Sequence, residues 1–335
     1  MFDSRRKIFK RAATAAAVAT AMLVLLAAGG AAQAAEDWPQ RPIRIVVGQS
    51  AGGAPDILTR IVGQRVAEIL GQPVVVDLKP SGGGIIGADT VAKAPADGYT
   101  WLLATPTALT VAPYIKRRLP YDAEKDFVPV SLMGQSANVL VVGPRLKVKT
   151  TAELVAHIKA HPGQVSFASA GLGTAAHLAG ELLATSIGVP MVHVPYKGAG
   201  QAMNDVAGGQ VDFMLTSPLA AKVFMQAGRV TALATTGLQP DPQLPKLPLL
   251  ADTVPGYQIV QWWGMVLRSG TPAPIVARIH AALVEALGDP KVKAQFIAQG
   301  VSPRTSTQAE FAEFLAAERR RYQDLVKRAA IEQED

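Results

Sequence analysis

Two successive series of short apolar runs, each followed by a helix-forming stretch, constrain this chain more than any other feature. "IRIVV" (Ile43–Val47), "PVVVDL" and "TWLLA" (Thr100–Ala104) have the length and β-branched content of buried strands. Between them lie "PDILTRIVGQRVAEIL", with Pro55 placed for a first helical position, and the glycine-led "KPSGGGIIGADTVAKA". "DFVPVSLMGQSANVLVVG" then reads as two extended segments that leave one lobe for another. The alternation restarts there: helix "TTAELVAHIKA", strand "QVSFASA", a Gly loop and helix, strand "PMVHVPY", helix "GAGQAMNDVAGG", strand "VDFMLTS", a helix and strand "VTALATT". The Pro-rich "LQPDPQLPKLPLLADTVPG" marks a return crossing, followed by strand "IVQWWGMVLR" and two amphipathic helices. Such alternation predicts an α/β fold of two lobes, each a parallel sheet with helices on both faces. Lobe 1 is expected over 35–140 plus 256–335 and lobe 2 over 141–255.

The first 34 residues read as a leader rather than as part of the fold. "SRRKIFKR" is a basic n-region, "AATAAAVATAMLVLLAA" an apolar stretch, and Ala32–Ala34 a small-x-small cleavage site. Ser4-Arg5-Arg6 before Ile8-Phe9-Lys10 resembles a twin-arginine export signal, although paired arginines also occur in ordinary n-regions. The apolar run falls short of the ~20 residues that a membrane span needs.

Overall the chain holds 33 Lys/Arg against 26 Asp/Glu, but the leader contains five of those cations and one Asp. The remainder carries only +3, with no basic runs interleaved with aromatics, so nucleic acid is not expected as a partner. Cysteine is absent, which rules out disulfides, a thiolate nucleophile, Cys-bound zinc and a lipid-anchoring thiol. Five scattered histidines without an H-E-x-x-H pair argue against a metal, and no cofactor is expected. An exported, unanchored chain of this kind is expected in the periplasm, as a monomer.

Three Gly-rich loops each stand between a strand and a helix N-terminus: Ser50–Asp56, Pro80–Gly84 and Ser169–His177. Helix N-termini offer unpaired N–H groups and a positive dipole end, and glycine lets a ligand approach the backbone. In open α/β sheets such loops gather at the carboxyl ends of the strands. Together they suggest an interlobe cleft that closes on a small anion. Gly171, Gly173 and Ala176 also spell G-x-G-x-x-A, the dinucleotide fingerprint. That reading requires an acid at the end of the next strand, where this chain has "VHVPYKG". A secreted serine hydrolase is the other enzymatic alternative. Ser50, Ser81 and Ser169 lie beside glycines, but none is in G-x-S-x-G. With Thr174 as N-cap, His177 falls at the third helical position, where it reaches back to the cap and the dipole keeps it neutral.

"RPIRIVV", "AGGAPDILTRIV", "LGQPVVVDLKPSGGGIIGADTVAKAPADGYT", "SAGLGTAAHLAGELL", "VHVPYKGAGQAMNDVAGGQVDFM" and "WWGMVLRSGTPAPIVARI" occur in this order. From about Trp38 to Ile331 the chain thereby resembles the Bordetella uptake gene (Bug) family, the solute-binding proteins of tripartite tricarboxylate transporters. The resemblance implies the type II periplasmic binding-protein fold, with crossing strands between two α/β lobes that close over a carboxylate. It implies a non-catalytic role, and transporter subunits or a membrane sensor as partners. Carried over residue by residue, the ligand loops comprise Ser50, Ala51, Gly52, Gly53 and Asp56, then Ser81, Gly82 and Gly83, then Ser169, Gly171, Gly173, Thr174 and His177. Thr105, Thr107, Thr216 and Ser217 are implied to line the cleft.

The chain departs from the family pattern at Gly48-Gln49-Ser50, where Pro-aromatic-Pro is frequent, at Pro55, at Leu78 in place of an Asn, and at Arg268-Ser269. Asp56 carries two readings: a first-turn acid that complements the helix dipole, or a cleft group that would repel a carboxylate and receive an ammonium. Export is directly testable. If the route is twin-arginine, Arg5→Lys with Arg6→Lys abolishes periplasmic accumulation, whereas an unchanged yield assigns the general secretory route.

Overall fold

The computed structural model describes residues 38–335, except 172, 173, 238, 242, 243, 330–332, 334 and 335. The expected leader, Gly173 of the third Gly loop and parts of the return crossing therefore lie outside the described residues. In the first lobe β1 (Ile43–Val47), α1 (Ala54–Leu70), β2 (Val74–Leu78), α2 (Ile85–Ala92) and β3 (Thr100–Ala104) alternate, and α3 (Ala112–Ile115) follows. The extended β4 (Phe127–Ala137) leads across to β5 (Val139–Val142). The second lobe continues with α4 (Thr151–Ala160), β6 (Ser166–Ser169), α5 (Ala175–Ile187), β7 (Val192–Pro195), α6 (Ala199–Ala207), β8 (Phe213–Thr216), α7 (Pro218–Gln226) and β9 (Thr231–Thr235). The chain returns through β10 (Val260–Arg268), α8 (Ala273–Gly288), α9 (Pro290–Ala298), the short β11 (Ser302–Pro303) and α10 (Gln308–Arg328).

The two lobes repeat one topology. Their sheets run β11-β4-β10-β3-β1-β2 and β7-β6-β8-β5-β9. Neither sheet is purely parallel, which corrects the expectation from alternation alone: β10 is antiparallel to β3 and β4, and β5 is antiparallel to β8 and β9. The reason is connectivity. A parallel neighbour needs a long crossover, usually helical, within one lobe, whereas β5 and β10 each enter from the other lobe and so run the opposite way. The passage falls at Asn138, so Val139 and Leu140, grouped above with the first lobe, pair with Thr216 and Leu215 in the second sheet.

The crossings are held together by one buried residue. Thr236 Oγ1 accepts the Asn138 N–H at 2.8 Å and donates to the Ile259 carbonyl at 2.6 Å. Its backbone N–H donates to the Asn138 carbonyl at 2.9 Å. A third link is α10, which follows a capping box made by Thr307 and Glu310. Its first half puts Phe311 and Leu315 into the first-lobe core with Trp262 and Phe127. Its second half puts Tyr322, Leu325 and Val326 against Leu178, Leu183 and Tyr257 of the second lobe and the return crossing.

Inside the second lobe, rings stack in a column. Phe167 and His193 have centroids 4.9 Å apart, and His193 and His177 4.2 Å. Burial, with the neighbouring His193 charge as a lesser cause, pushes the His177 imidazole down to about 4. Burial also lowers His193. Burial and the neighbouring imidazole thus both favour a neutral His177.

Two predictions follow from these interior groups. Thr236→Val leaves a buried N–H and a buried C=O without partners, a cost of about 1–3 kcal/mol for each orphaned group; the melting point is expected to fall by several degrees, and Thr236→Ser to restore most of it. For His177 the folded pKa lies below the unfolded one, so its contribution is complete above pH ~6.5 and lost as pH falls toward ~4. Stability is expected to drop by about 1.4 kcal/mol per pH unit in that window from this group alone. Urea titrations of His177→Phe, which keeps the stack, should show a flatter decline.

Candidate cleft and family membership

A cleft of about 220 Å³ opens between the lobes. Four helices present their first residues to it. Ala54 opens α1, Thr174 and Ala175 cap and open α5, Ala199 opens α6, and Ser217 caps α7. Local sequence explains the arrangement. Pro55 and Pro218 occupy early helical positions where a missing N–H costs nothing. Thr174 Oγ1 accepts the His177 N–H at 3.4 Å, and Ser217 Oγ the Ala220 N–H at 3.3 Å. Remaining first-turn N–H groups, with the positive dipole ends, are left to face the cleft.

The crossing strands form the opposite wall. Gln261 pairs with Ser136, and Trp263 with Gly134, so Gln261 and Trp263 share one face of β10 by two-residue alternation. Ser136, Asn138, Gln261 and Trp263 all line the cleft. Met214, Leu219 and Val301 supply apolar lining. Among the described lining residues none is charged.

Of the residues singled out in the sequence, Thr174, Thr216 and Ser217 line this cleft. The first-lobe group converges at the carboxyl ends of β1 and β3. Gln49 Nε2 donates to Thr105 Oγ1 at 3.4 Å, and a Cβ on Gly83 would stand 2.8 Å from Thr107 Cγ2. A Cβ on Gly48 would stand 2.5 Å from Gly84 Cα, so the small residue at this departure from the family pattern is required by backbone contact. Ser81 is spent locally: its Oγ accepts the Ile86 N–H at 3.0 Å, next to the turn containing Gly82 and Gly83. Ser50, Ala51, Gly52 and Gly53 form the loop ahead of α1, with Ser50 and Ala51 exposed and Gly53 its N-cap.

Three residues have duties other than those expected of a lining group. Asp56 is buried and structural, since it accepts the Gly52 N–H at 2.9 Å and pairs with Arg60 Nε at 2.7 Å. The His177 ring stacks on His193, and its Nε2 lies 3.7 Å from Glu181 Oε1. Ser169 is fully buried, its Oγ 2.7 Å from His193 Nε2 and 3.1 Å from the Gly171 N–H that it accepts. Conversely, Asn138, Trp263 and Ala199 are lining residues that sequence reasoning did not single out. Only the spacing of Gln261 and Trp263 on "IVQWWGMVLR" carried a signal for one shared face.

The comparisons agree with this geometry. Residues 58–331 match the family described as tripartite tricarboxylate transporter family receptor. A Pseudomonas protein, "UPF0065 protein in tcbD-tcbE intergenic region", is 39% identical over 297 residues, covering 88% of each chain. "Protein BugT" of Bordetella pertussis is 35% identical over 296 residues, covering 88% of this chain and 91% of that one. Among solved structures, "R. palustris Rpa4515 with adipate" is 32% identical with a TM-score of 0.77, over 89% of this chain and all of that one. "MatC (Rpa3494) from Rhodopseudomonas palustris with bound malate" is 28% identical with a TM-score of 0.72, over 86% of this chain and 100% of the other. The chain belongs to the tripartite tricarboxylate transporter receptor family, whose members are solute-binding proteins.

Proposed function

We propose that this protein captures a small mono- or dicarboxylate between its lobes and delivers it to the membrane subunits of a tripartite tricarboxylate-type transporter. The carrying observation is the convergence of four helix N-termini on a cleft with no charged lining side chain. Such a site holds an anion by oriented N–H groups and dipoles. It offers little to a polyamine, for lack of carboxylates, or to a sugar, for lack of charge complementarity. The adipate and malate bound by two structural relatives support the same ligand class. The protein acts as a monomer in the periplasm, without catalysis. The rival hydrolase gains nothing from Ser169, whose hydroxyl is fully buried beneath the Gly171 turn.

A ligand that binds only the folded state at about 100 times its Kd adds about 2.7 kcal/mol. At roughly 2 °C per kcal/mol for a chain of this size, the melting point should rise by about 5 °C. A thermal-shift panel is expected to find such a rise among C3–C8 mono- and dicarboxylates, adipate and malate included. The rise should weaken only modestly with salt, since short contacts in a closed cleft are poorly screened. Stabilisation by sugars or polyamines, with none by any carboxylate, would refute the assignment.

A further inference from the structure

A closed circuit of contacts joins β6, β7 and the start of α5. The Ser169 hydroxyl, fully buried, lies 2.7 Å from His193 Nε2 and accepts the Gly171 N–H at 3.1 Å. The Gly171 carbonyl accepts the Thr174 hydroxyl at 2.7 Å. Thr174 Oγ1 in turn accepts the N–H of His177, whose ring stacks on His193 with centroids 4.2 Å apart. Thr174 lines the cleft, together with Ala170. Gly171 stands at φ +126° and, having no side chain, depends on these hydrogen bonds for its orientation.

A hydroxyl has one proton to give. When His193 is neutral with its proton on Nδ1, Nε2 takes the Ser169 proton, and every donor of the circuit has its own acceptor. Ser169 Oγ–H is directed to His193 Nε2, Gly171 N–H to Ser169 Oγ, and Thr174 Oγ1–H to the Gly171 carbonyl. An imidazolium donates from both nitrogens and accepts at neither. The Ser169 proton must then turn to the Gly171 carbonyl, 3.1 Å away, where the Thr174 hydroxyl is already bound. A proton on His193 Nε2 therefore sets two hydroxyls in competition for one carbonyl, and one of the two belongs to a cleft residue.

We propose that His193 is a positioning residue for anion capture: as acceptor of the Ser169 proton it holds Gly171 and the Thr174 cap in the arrangement that receives a carboxylate, and proton uptake at Nε2 releases that hold. This assignment rests on the carboxylate-binding role argued above. His193 itself acts through Ser169 and need not touch the anion. It is half-buried, and burial moves its titration below the ordinary imidazole range, so the hold is complete at neutral pH and is lost in acid. The titratable groups on the helices around it are His177 and Glu181 of α5, and His157 and His161 of α4, which stack on each other. On the opposite face of β7, Tyr196 donates to Asp205 of α6 at 2.7 Å. An imidazolium acting through space would have the opposite effect, since a nearby cation tightens the binding of an anion. The sign of the pH dependence therefore separates positioning from simple attraction.

The test is calorimetric titration of the full mature chain with adipate and with malate, from about pH 7.5 down to about pH 4.5, a range that brackets the ordinary imidazole value. Protonation of the probe itself is common to all variants and cancels in the comparison. His193→Phe keeps the ring stack and removes the acceptor. It should bind about twofold to tenfold more weakly than wild type at pH 7.5, the range for one hydrogen bond, and wild type should approach it in acid. His193→Gln keeps an acceptor near the place of Nε2 but does not titrate, so it should recover most of the loss seen in His193→Phe and escape the acid-dependent weakening of wild type. Binding and proton uptake are reciprocal, so adipate should lower the His193 pKa, read from its imidazole C–H resonance. A merely structural His193 would change the melting point of the variants without moving this pH profile. The same acid loss in His193→Gln as in wild type, or a His193 pKa raised by adipate, would overturn the positioning role while leaving the carboxylate role intact. Failure of wild type to bind any carboxylate would overturn both.

Discussion

The two-lobed arrangement depends on the hydrogen bonds around Thr236. A chain that crosses between lobes twice must bring two extended segments side by side where no sheet is available to pair them. Thr236 solves this by acting as donor and acceptor at once, tying the outgoing strand at Asn138 to the returning one at Ile259. The peptide groups there are buried, and buried peptide groups left unpaired are strongly unfavourable. With this junction fixed, the directions of β5 and β10 are fixed too, and each completes the sheet of the lobe it enters. The register of β10 on β4 then places Gln261 and Trp263 on the cleft side and Trp262 in the core against Phe311.

The cleft follows a consistent electrostatic logic. A carboxylate moved from water into a protein site loses hydration worth many kcal/mol, and an arginine or lysine offered in exchange would be desolvated as well. Helix N-termini avoid that second cost, because their N–H groups are already oriented and were never ionised. Among the described residues that line it, such a site carries no charged side chain. The carboxylate nearest in sequence, that of Asp56, is buried and engaged by Gly52 and Arg60 rather than opposed to an incoming anion.

Much of this could be read from sequence, and the exceptions have physical causes. The strand and helix order was legible because periodicity and Pro/Gly punctuation are local properties. Thr174 was legible as a helix cap because caps are set within four residues, whereas Ser217 was implied as a cleft residue only by the family resemblance. The antiparallel strands were not, since their direction is decided by which lobe the chain has just left. Asn138 and Trp263 were hidden for a related reason: their neighbours come from segments more than 75 residues away. His177 was correctly placed at a helix start, but its ring partner His193 belongs to another strand, and the stack could only appear once β6 and β7 were paired.

The helix α10 gives the molecule a property that two crossing strands alone would not. A joint made of two flexible segments permits wide rotation, with a large loss of rigid-body freedom when a ligand closes it. Here Phe311 and Tyr322 anchor one continuous rod in two different cores. Separating the lobes must therefore slide the far half of the rod along α5, a shear of packed side chains that proceeds in small steps. One rod packed in both cores restricts the range of openings that two crossing strands alone would allow, and with it the freedom that closure must remove. Affinity can then be set by a handful of short contacts without first overcoming a loosely hinged state.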